Sequence, residues 1–259
     1  MSNKITYAKE EWVTNEIKIA VSEAWEAAHL AGENANSKSF WEKFQNKGER
    51  DDYSYGFANW KVSIIEPVYP ISADRIMYAF MNCTELEDAS NIEINITNGN
   101  PQMMYVFSNC AKMINAPEMT FAAAIVKTYI SMYAGCQSLE GVKVYWGNGT
   151  ADPVTQRNSC QNMFFKCYSL KKIDFGAENT GSPLNLDLSY AAELSNASVS
   201  SLLNSLQTIP EGSSGKYEII LAAQTVERLN IEAPELLDGF SQKGWTITSK
   251  DNQPKESEE

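Results

Sequence analysis

The sequence predicts an α/β solenoid, a stack of irregular repeats that each contain a short helix, a turn and a short strand, with an N-terminal helical segment in front. Three observations predict it. Four segments, AFMNCTEL (79–86), VFSNCAKM (106–113), MYAGCQSL (132–139) and MFFKCYSL (163–170), align on a cysteine, and these cysteines follow one another at intervals of 27, 26 and 31 residues. Within each copy, apolar residues stand at −7, −4, −3, 0 and +3 from the cysteine, the spacing of one helical face. A unit this short cannot bury that face alone, so neighbouring units must cover it.

The elements follow in chain order. Residues 8–32 read as a helix with a stripe of mostly small residues, Ile17, Val21, Ala24 and Ala28, which calls for a partner helix in the chain or in a homo-oligomer. Residues 1–36 are therefore assigned to attachment or oligomerisation. A second helix over 39–48 and the alternating aromatics of 53–60 form an aromatic-rich cap, 37–70. The four cysteine-containing repeats occupy 71–183. Their repeat core comprises Phe80, Cys83 and Leu86; Phe107, Cys110 and Met113; Tyr133, Cys136 and Leu139; and Cys160, Phe164, Cys167 and Leu170. About six residues past each cysteine comes Ala89, Ala116, Val142 or Ile173, with strand signals clearest at 141–146 and 172–175.

From 184 the cysteine disappears, but Leu184, Leu186 and Leu188 alternate as on a strand. A helix is expected over 196–209, a strand over 216–221 and a short helix around 224–230. Another helix is expected after Pro234, stopped at Gly244, with a last strand from Trp245. These C-terminal repeats and cap span 184–249. Residues 250–259 lack apolar side chains and are expected to form a disordered acidic tail.

Composition narrows the function. The net charge is −12 and the longest basic run is Lys171-Lys172, which argues against nucleic acid. No apolar run approaches the roughly 20 residues of a membrane span. The start of the chain reads as neither a signal peptide nor a transit peptide. The cysteines lack any C-x-x-C pattern and the single histidine, His29, lies far from them, so core packing is expected rather than metal binding or disulfides, and no cofactor is expected. His29 sits near the end of the first helix, where it complements the helix dipole.

Asp174 and Asp187 could face one surface from neighbouring strands, as a glycosidase requires, but solvated strand edges explain them equally well. No nucleophile elbow or phosphate-binding loop accompanies them, and the chain is expected to be no enzyme. Candidate binding residues are the aromatics Tyr105, Tyr145, Trp146 and Tyr168; of Tyr145 and Trp146, one should point outward.

The unit apolar-[Phe/Tyr]-x-x-Cys-x-x-Leu resembles the BspA-like leucine-rich repeats of bacterial surface proteins and of tail-associated proteins of phages and prophages from gut bacteria. The upstream residues Phe40-Trp41, Gln45, Gly48, Arg50, Tyr53, Phe57-Ala58, Trp60, Pro67 and Tyr69 resemble the segment that often precedes those repeats in phage proteins. The ending SVSSLLNSLQTIP…YEIILAAQTVERL…GWTIT is similar to the family's C-terminal units, and the resemblance covers roughly residues 38–249. Met113 departs from the usual leucine, and the repeat lengths are irregular.

The resemblance implies a leucine-rich-type solenoid and a non-enzymatic virion protein, of tail or surface, made in the host cytoplasm. Its expected partners are other virion proteins, a host surface protein or a host glycan. The alternative it implies is a bacterial cell-surface or secreted adhesin.

Overall fold

The structure is a computed structural model that describes residues 53–54, 56–61, 63–64, 70–73, 75–97, 102–121, 128–145, 160–176, 184–213 and 216–254. Of the two units into which the chain divides, Met1–Glu49 and Arg50–Glu259, all of these lie in the second. The helices expected at 8–32 and 39–48, the oligomer contact through 8–32, His29 and Trp146 lie outside the described residues. The described residues form a mixed α and β structure with three small parallel sheets and no closed barrel.

The expected repeat helices are absent: residues 76–83 and their counterparts follow a run of overlapping turns. The amides of Ala79, Met81 and Cys83 close local turns onto the carbonyls of Ile76, Tyr78 and Phe80 (3.1, 3.1 and 3.3 Å). The alternate amides, Tyr78, Phe80 and Asn82, donate instead to Met104, Val106 and Ser108 of the next copy (3.0, 2.8 and 2.8 Å). Tyr105, Phe107 and Asn109 repeat this onto Ile130, Met132 and Ala134, and Ser131, Tyr133 and Gly135 onto Gln161, Met163 and Phe165.

The reason lies in the backbone. The residues at −5 and −1 adopt the left-handed conformation in all four copies: Tyr78 and Asn82, Tyr105 and Asn109, Ser131 and Gly135, Asn162 and Lys166. A left-handed residue every fourth position cannot belong to an α-helix of L-residues. The turn-run nevertheless puts the same offsets inward, so the helix-like spacing was real and its interpretation was not. Residues 56–60 follow the same path one copy earlier, with Asn59 left-handed, Trp60 in the cysteine's place, and the Phe57 and Asn59 amides on Ala79 and Met81 (both 2.8 Å).

Every repeat-core residue named above is buried. The −3 rings form one continuous row: Phe57, Phe80, Phe107, Tyr133 and Phe164 stack with centroids 4.7, 5.0, 5.7 and 5.8 Å apart and planes within 15°. Beside it run the thiols. Cys83, Cys110, Cys136 and Cys167 each donate to the carbonyl of the preceding ring residue, Phe57, Phe80, Phe107 and Tyr133, at 3.0–3.1 Å. A third row carries amides, Asn109 onto Asn82 (3.0 Å) and Asn82 onto Asn59 (3.2 Å).

All five cysteines are free and buried. Burial pushes the thiols of Cys110, Cys136, Cys160 and Cys167 upward, and for Cys83 the Cys110 side chain raises it first and burial second. Thiolate is the reactive form, so modification must wait for unfolding. A water-soluble maleimide is expected to label the folded chain at least about a hundredfold more slowly than the denatured one. Rapid native labelling of any one cysteine would contradict this.

Lys166 is the one −1 residue that is neither asparagine nor glycine, and it holds φ 60°. Lys166→Gly is expected to raise stability by about 0.5–1 kcal/mol by relieving the left-handed cost. The check is the midpoint of urea unfolding; a fall would show that the ammonium 5.3 Å over the Phe165 ring matters more.

Strands flank the turn-runs. β1 (Ile71–Ala73), β2 (Glu93–Ile96) and β3 (Glu118–Phe121) pair in parallel, Ile71 beside Ile94 and Ile94 beside Met119. A second line runs through bridges at Ile64, Asp88, Asn115 and Gly141 into β4 (Gly141–Lys143) and β5 (Lys172–Asp174). The strands expected at 141–146 and 172–175 are therefore present in shortened form.

Beyond β5 the next layer is a helix, α1 (Asn196–Ser205), capped by the Ser195 hydroxyl on the Ser198 amide. Its Ser198 and Ser201 hydroxyls accept from the Ile173 and Phe175 amides (2.9 and 3.0 Å), in the place of a neighbouring strand's carbonyls. β6 (Leu186–Leu188), β7 (Glu218–Ala222) and β8 (Thr246–Lys250) form the third parallel sheet. It is backed by α2 (Ala223–Glu232) and α3 (Pro234–Gln242), the latter with proline in its first turn.

The expectation of disorder from residue 250 is corrected in its first part. Lys250 ends β8, Asn252 donates to the Ser189 hydroxyl (2.7 Å), and the Gln253 side chain donates to the Ser189 and Tyr190 carbonyls (3.3 and 3.1 Å). Residues 255–259 lie outside the described residues.

Candidate functional site

The ladder of amides stops at the fourth copy. Among the described residues no carbonyl accepts from the amides of Asn162, Phe164 or Lys166, whose counterparts in all three earlier copies donate to the next unit. The segment that follows explains it. Leu184, Leu188, Ala191 and Leu194 fall at −7, −3, 0 and +3 of a fifth copy, and the Ser195 amide still reaches the Lys171 carbonyl (2.8 Å). Its central residues, however, form the extended β6, which pairs with β7. An extended strand and a turn-run with Asn162 and Lys166 left-handed do not present matching donors and acceptors.

A cleft of about 340 Å³ opens at this mismatch. Gln161 and Asn162 line one side, and Asn185, Asp187 and Glu218 the other, with Cys160, Leu186 and Ile220 also contributing. Asn185 is a fixed part of the wall: its amide donates to the Lys216 carbonyl (3.0 Å) and its oxygen accepts from the Glu218 amide (2.9 Å). Asp187 uses Oδ1 for the Ser189 amide and hydroxyl (3.0 and 2.5 Å), while Oδ2 lies 3.6 Å from Lys250 Nζ. Glu218 Oε1 accepts from Lys216 Nζ (2.7 Å) and Thr248 Oγ1 (3.0 Å), and the lysine bond above all holds its carboxyl below the usual range.

The same two segments build an aromatic cluster. Tyr190 meets Phe165 edge-on at 5.0 Å and Tyr168 edge-on at 5.8 Å. Phe165 is exposed and the two tyrosines are half-buried. The Tyr190 phenol is raised, first by burial and then by the nearby Asp187 carboxylate.

The binding aromatics expected from the sequence do not share one site. Tyr168 belongs to this cluster. Tyr105 is half-buried and stacked on Tyr78 at 5.1 Å, extending the −5 positions as a second ring pair. Tyr145 stacks on Phe121 at 5.0 Å in a notch of about 170 Å³ with Glu118, Thr120 and Lys143. Asp174 and Asp187 stand in different sheets, and each folds back onto an amide two residues ahead, Gly176 (2.8 Å) and Ser189, the ordinary use of aspartate in a turn. Phe165, Tyr190, Gln161, Asn162 and Glu218 were not singled out from sequence; the ring at −2 from Cys167, where the other copies carry Met81, Ser108 and Ala134, was the available signal.

Among the described residues no helix is long and apolar enough to cross a membrane, and no three His, Cys, Asp or Glu side chains group as metal ligands. The chain matches no protein-family model, no curated protein and no solved structure.

Proposed function

We propose that the chain is a non-catalytic binding module: a leucine-rich-type solenoid that serves a phage or prophage virion as a tail or surface protein. The observation that carries the binding role is the Phe165–Tyr168–Tyr190 cluster, built by the same two segments as a polar cleft, where the amide ladder of the described residues breaks. Aromatic side chains grouped beside a concave polar surface are the usual anchors of recognition. The ring, thiol and amide rows support the solenoid reading, because each copy is covered by its neighbours at equivalent positions. The virion assignment rests on the resemblance of residues 38–249 to phage-borne repeat proteins. In this reading residues 8–32 join copies of the chain or attach it to other virion proteins.

Fluorescently labelled chain is expected to adhere saturably to intact gut-bacterial cells and to lose adherence when Phe165, Tyr168 and Tyr190 are all changed to serine. Adherence unaffected by the triple change would remove the cluster from the function. Antibodies against residues 71–249 should label purified virus particles; labelling of the bacterial envelope alone would favour the adhesin instead.

A further inference from the structure

We infer that the cleft and the aromatic cluster built from the same two segments bind a neutral carbohydrate, with Tyr190, Tyr168 and Phe165 offering ring surface and Asp187, Glu218 and the Asn162 amide offering hydrogen bonds. The inference rests on the reading of the chain as a binding module and names its ligand class.

Three features select that class. First, the cleft presents both hydrogen-bonding characters. Asp187 and Glu218 are acceptors, each with a second oxygen that takes no hydrogen bond from the described residues, while the Asn162 amide is a donor with no carbonyl partner among them. Gln161 and Asn162 side chains supply both kinds. A ligand that meets both donors and acceptors in one cleft must carry groups that do both, and hydroxyls do.

Second, the cleft holds no surplus charge. Each carboxylate has its own lysine, Lys216 at 2.7 Å from Glu218 and Lys250 at 3.6 Å from Asp187. A cationic ligand would have to displace these partners, and an anionic one would approach a chain of net charge −12. A neutral polyol meets neither obstacle.

Third, the segments that line this polar cleft also carry the aromatic rings, Phe165 and Tyr168 following Gln161 and Asn162 and Tyr190 following Asp187. Such a pairing suits a ligand with C–H faces and hydroxyl edges, since the faces cover ring surface while the edges keep their hydrogen bonds. An apolar helix or lipid chain would leave the carboxylates and amides of the cleft unsatisfied.

The test is a titration of the full chain with neutral oligosaccharides of glucose, galactose, mannose and N-acetylglucosamine, followed by calorimetry and by tyrosine and tryptophan fluorescence. At least one series is expected to bind with a Kd between about 10 µM and 5 mM. Binding should weaken at least tenfold in Tyr190→Ala and in the near-isosteric Asp187→Asn, and stay within twofold in Ile231→Ser, which alters an exposed residue of α2 outside the cleft. A matched urea midpoint for Asp187→Asn separates lost contacts from lost folding. Raising salt from about 0.05 to 0.5 M should leave Kd nearly unchanged, because no charge is neutralised.

A parallel arm separates this inference from the reading beneath it. Periodate treatment of cells, which cleaves vicinal diols, should abolish adherence, while protease treatment should not. If no oligosaccharide binds, and adherence survives periodate but not protease, the ligand is a protein; the carbohydrate inference falls and the binding module stands. If there is neither adherence nor oligosaccharide binding, both fall.

Discussion

Phe107→Ala is expected to destabilise the fold by about 3–5 kcal/mol, the upper range for truncating a buried ring. Phe107 is fully buried between Phe80 at 5.0 Å and Tyr133 at 5.7 Å, with planes within 8° of both. A cavity costs less when its walls can close, and here they are held. The Phe107 amide is bound to Met132, the Phe80 amide to Val106, and the Cys136 thiol to the Phe107 carbonyl at 3.0 Å. Collapse of the rings toward each other would shear those bonds, so most of the void should remain.

The loss is large beside a typical total stability of about 5–15 kcal/mol. Urea unfolding followed by circular dichroism measures it, with an unchanged slope showing that the unfolded state is comparable. Tyr145→Ala supplies the contrast: the ring is stacked at 5.0 Å on Phe121 but half-buried, and its removal should cost less than about 1.5 kcal/mol. Equal costs for the two would mean that the ring row is not the centre of the core.

The inward positions of this row were legible because burial depends on which side chains recur on one side, whatever backbone carries them. Phe80, Cys83 and Leu86 and their counterparts were readable for that reason. So were the start of α1, marked by Ser195, and both ends of α3, marked by Pro234 and Gly244, while α1 stops at Ser205, short of the expected 209. The backbone path was not legible from the same spacing, since helix and turn-run place the same offsets inward. What distinguishes them is the −1 column, Asn59, Asn82, Asn109 and Gly135, residues that tolerate the left-handed conformation. Lys166 and the −5 column of Tyr78, Tyr105, Ser131 and Asn162 weaken that signal.

The copy at 56–60 was hidden because Trp60 stands where the later copies carry cysteine. The cleft was hidden for a different reason. Asp187 and Glu218 come from strands 31 residues apart, and the opening exists only because a turn-run meets an extended strand. No single segment carries that mismatch.

Gly135→Ala should cost about 2–3 kcal/mol, and two separate effects contribute. The backbone holds φ 80°, which an alanine adopts only at a cost of about 1–2 kcal/mol. In addition, a Cβ on Gly135 would stand 2.4 Å from Asn109 Oδ1, so the Asn109 side chain must move. That side chain donates to Asn82 at 3.0 Å, which in turn donates to Asn59, so displacement breaks the end of the amide row. Gly212→Ala isolates the first effect: φ is 79° and nothing lies within 4 Å of the added carbon, so it should cost only about 1 kcal/mol. The Asn109→Ala background isolates the second. With the amide gone, Gly135→Ala should cost no more than Gly212→Ala, a coupling of about 1–2 kcal/mol between residues 26 positions apart in the chain. Additive costs would show that the asparagine row and the glycine that ends it are independent, and that the −1 column is a set of separate turns. A positive coupling makes it one structure, in which each copy's left-handed residue is read by the next.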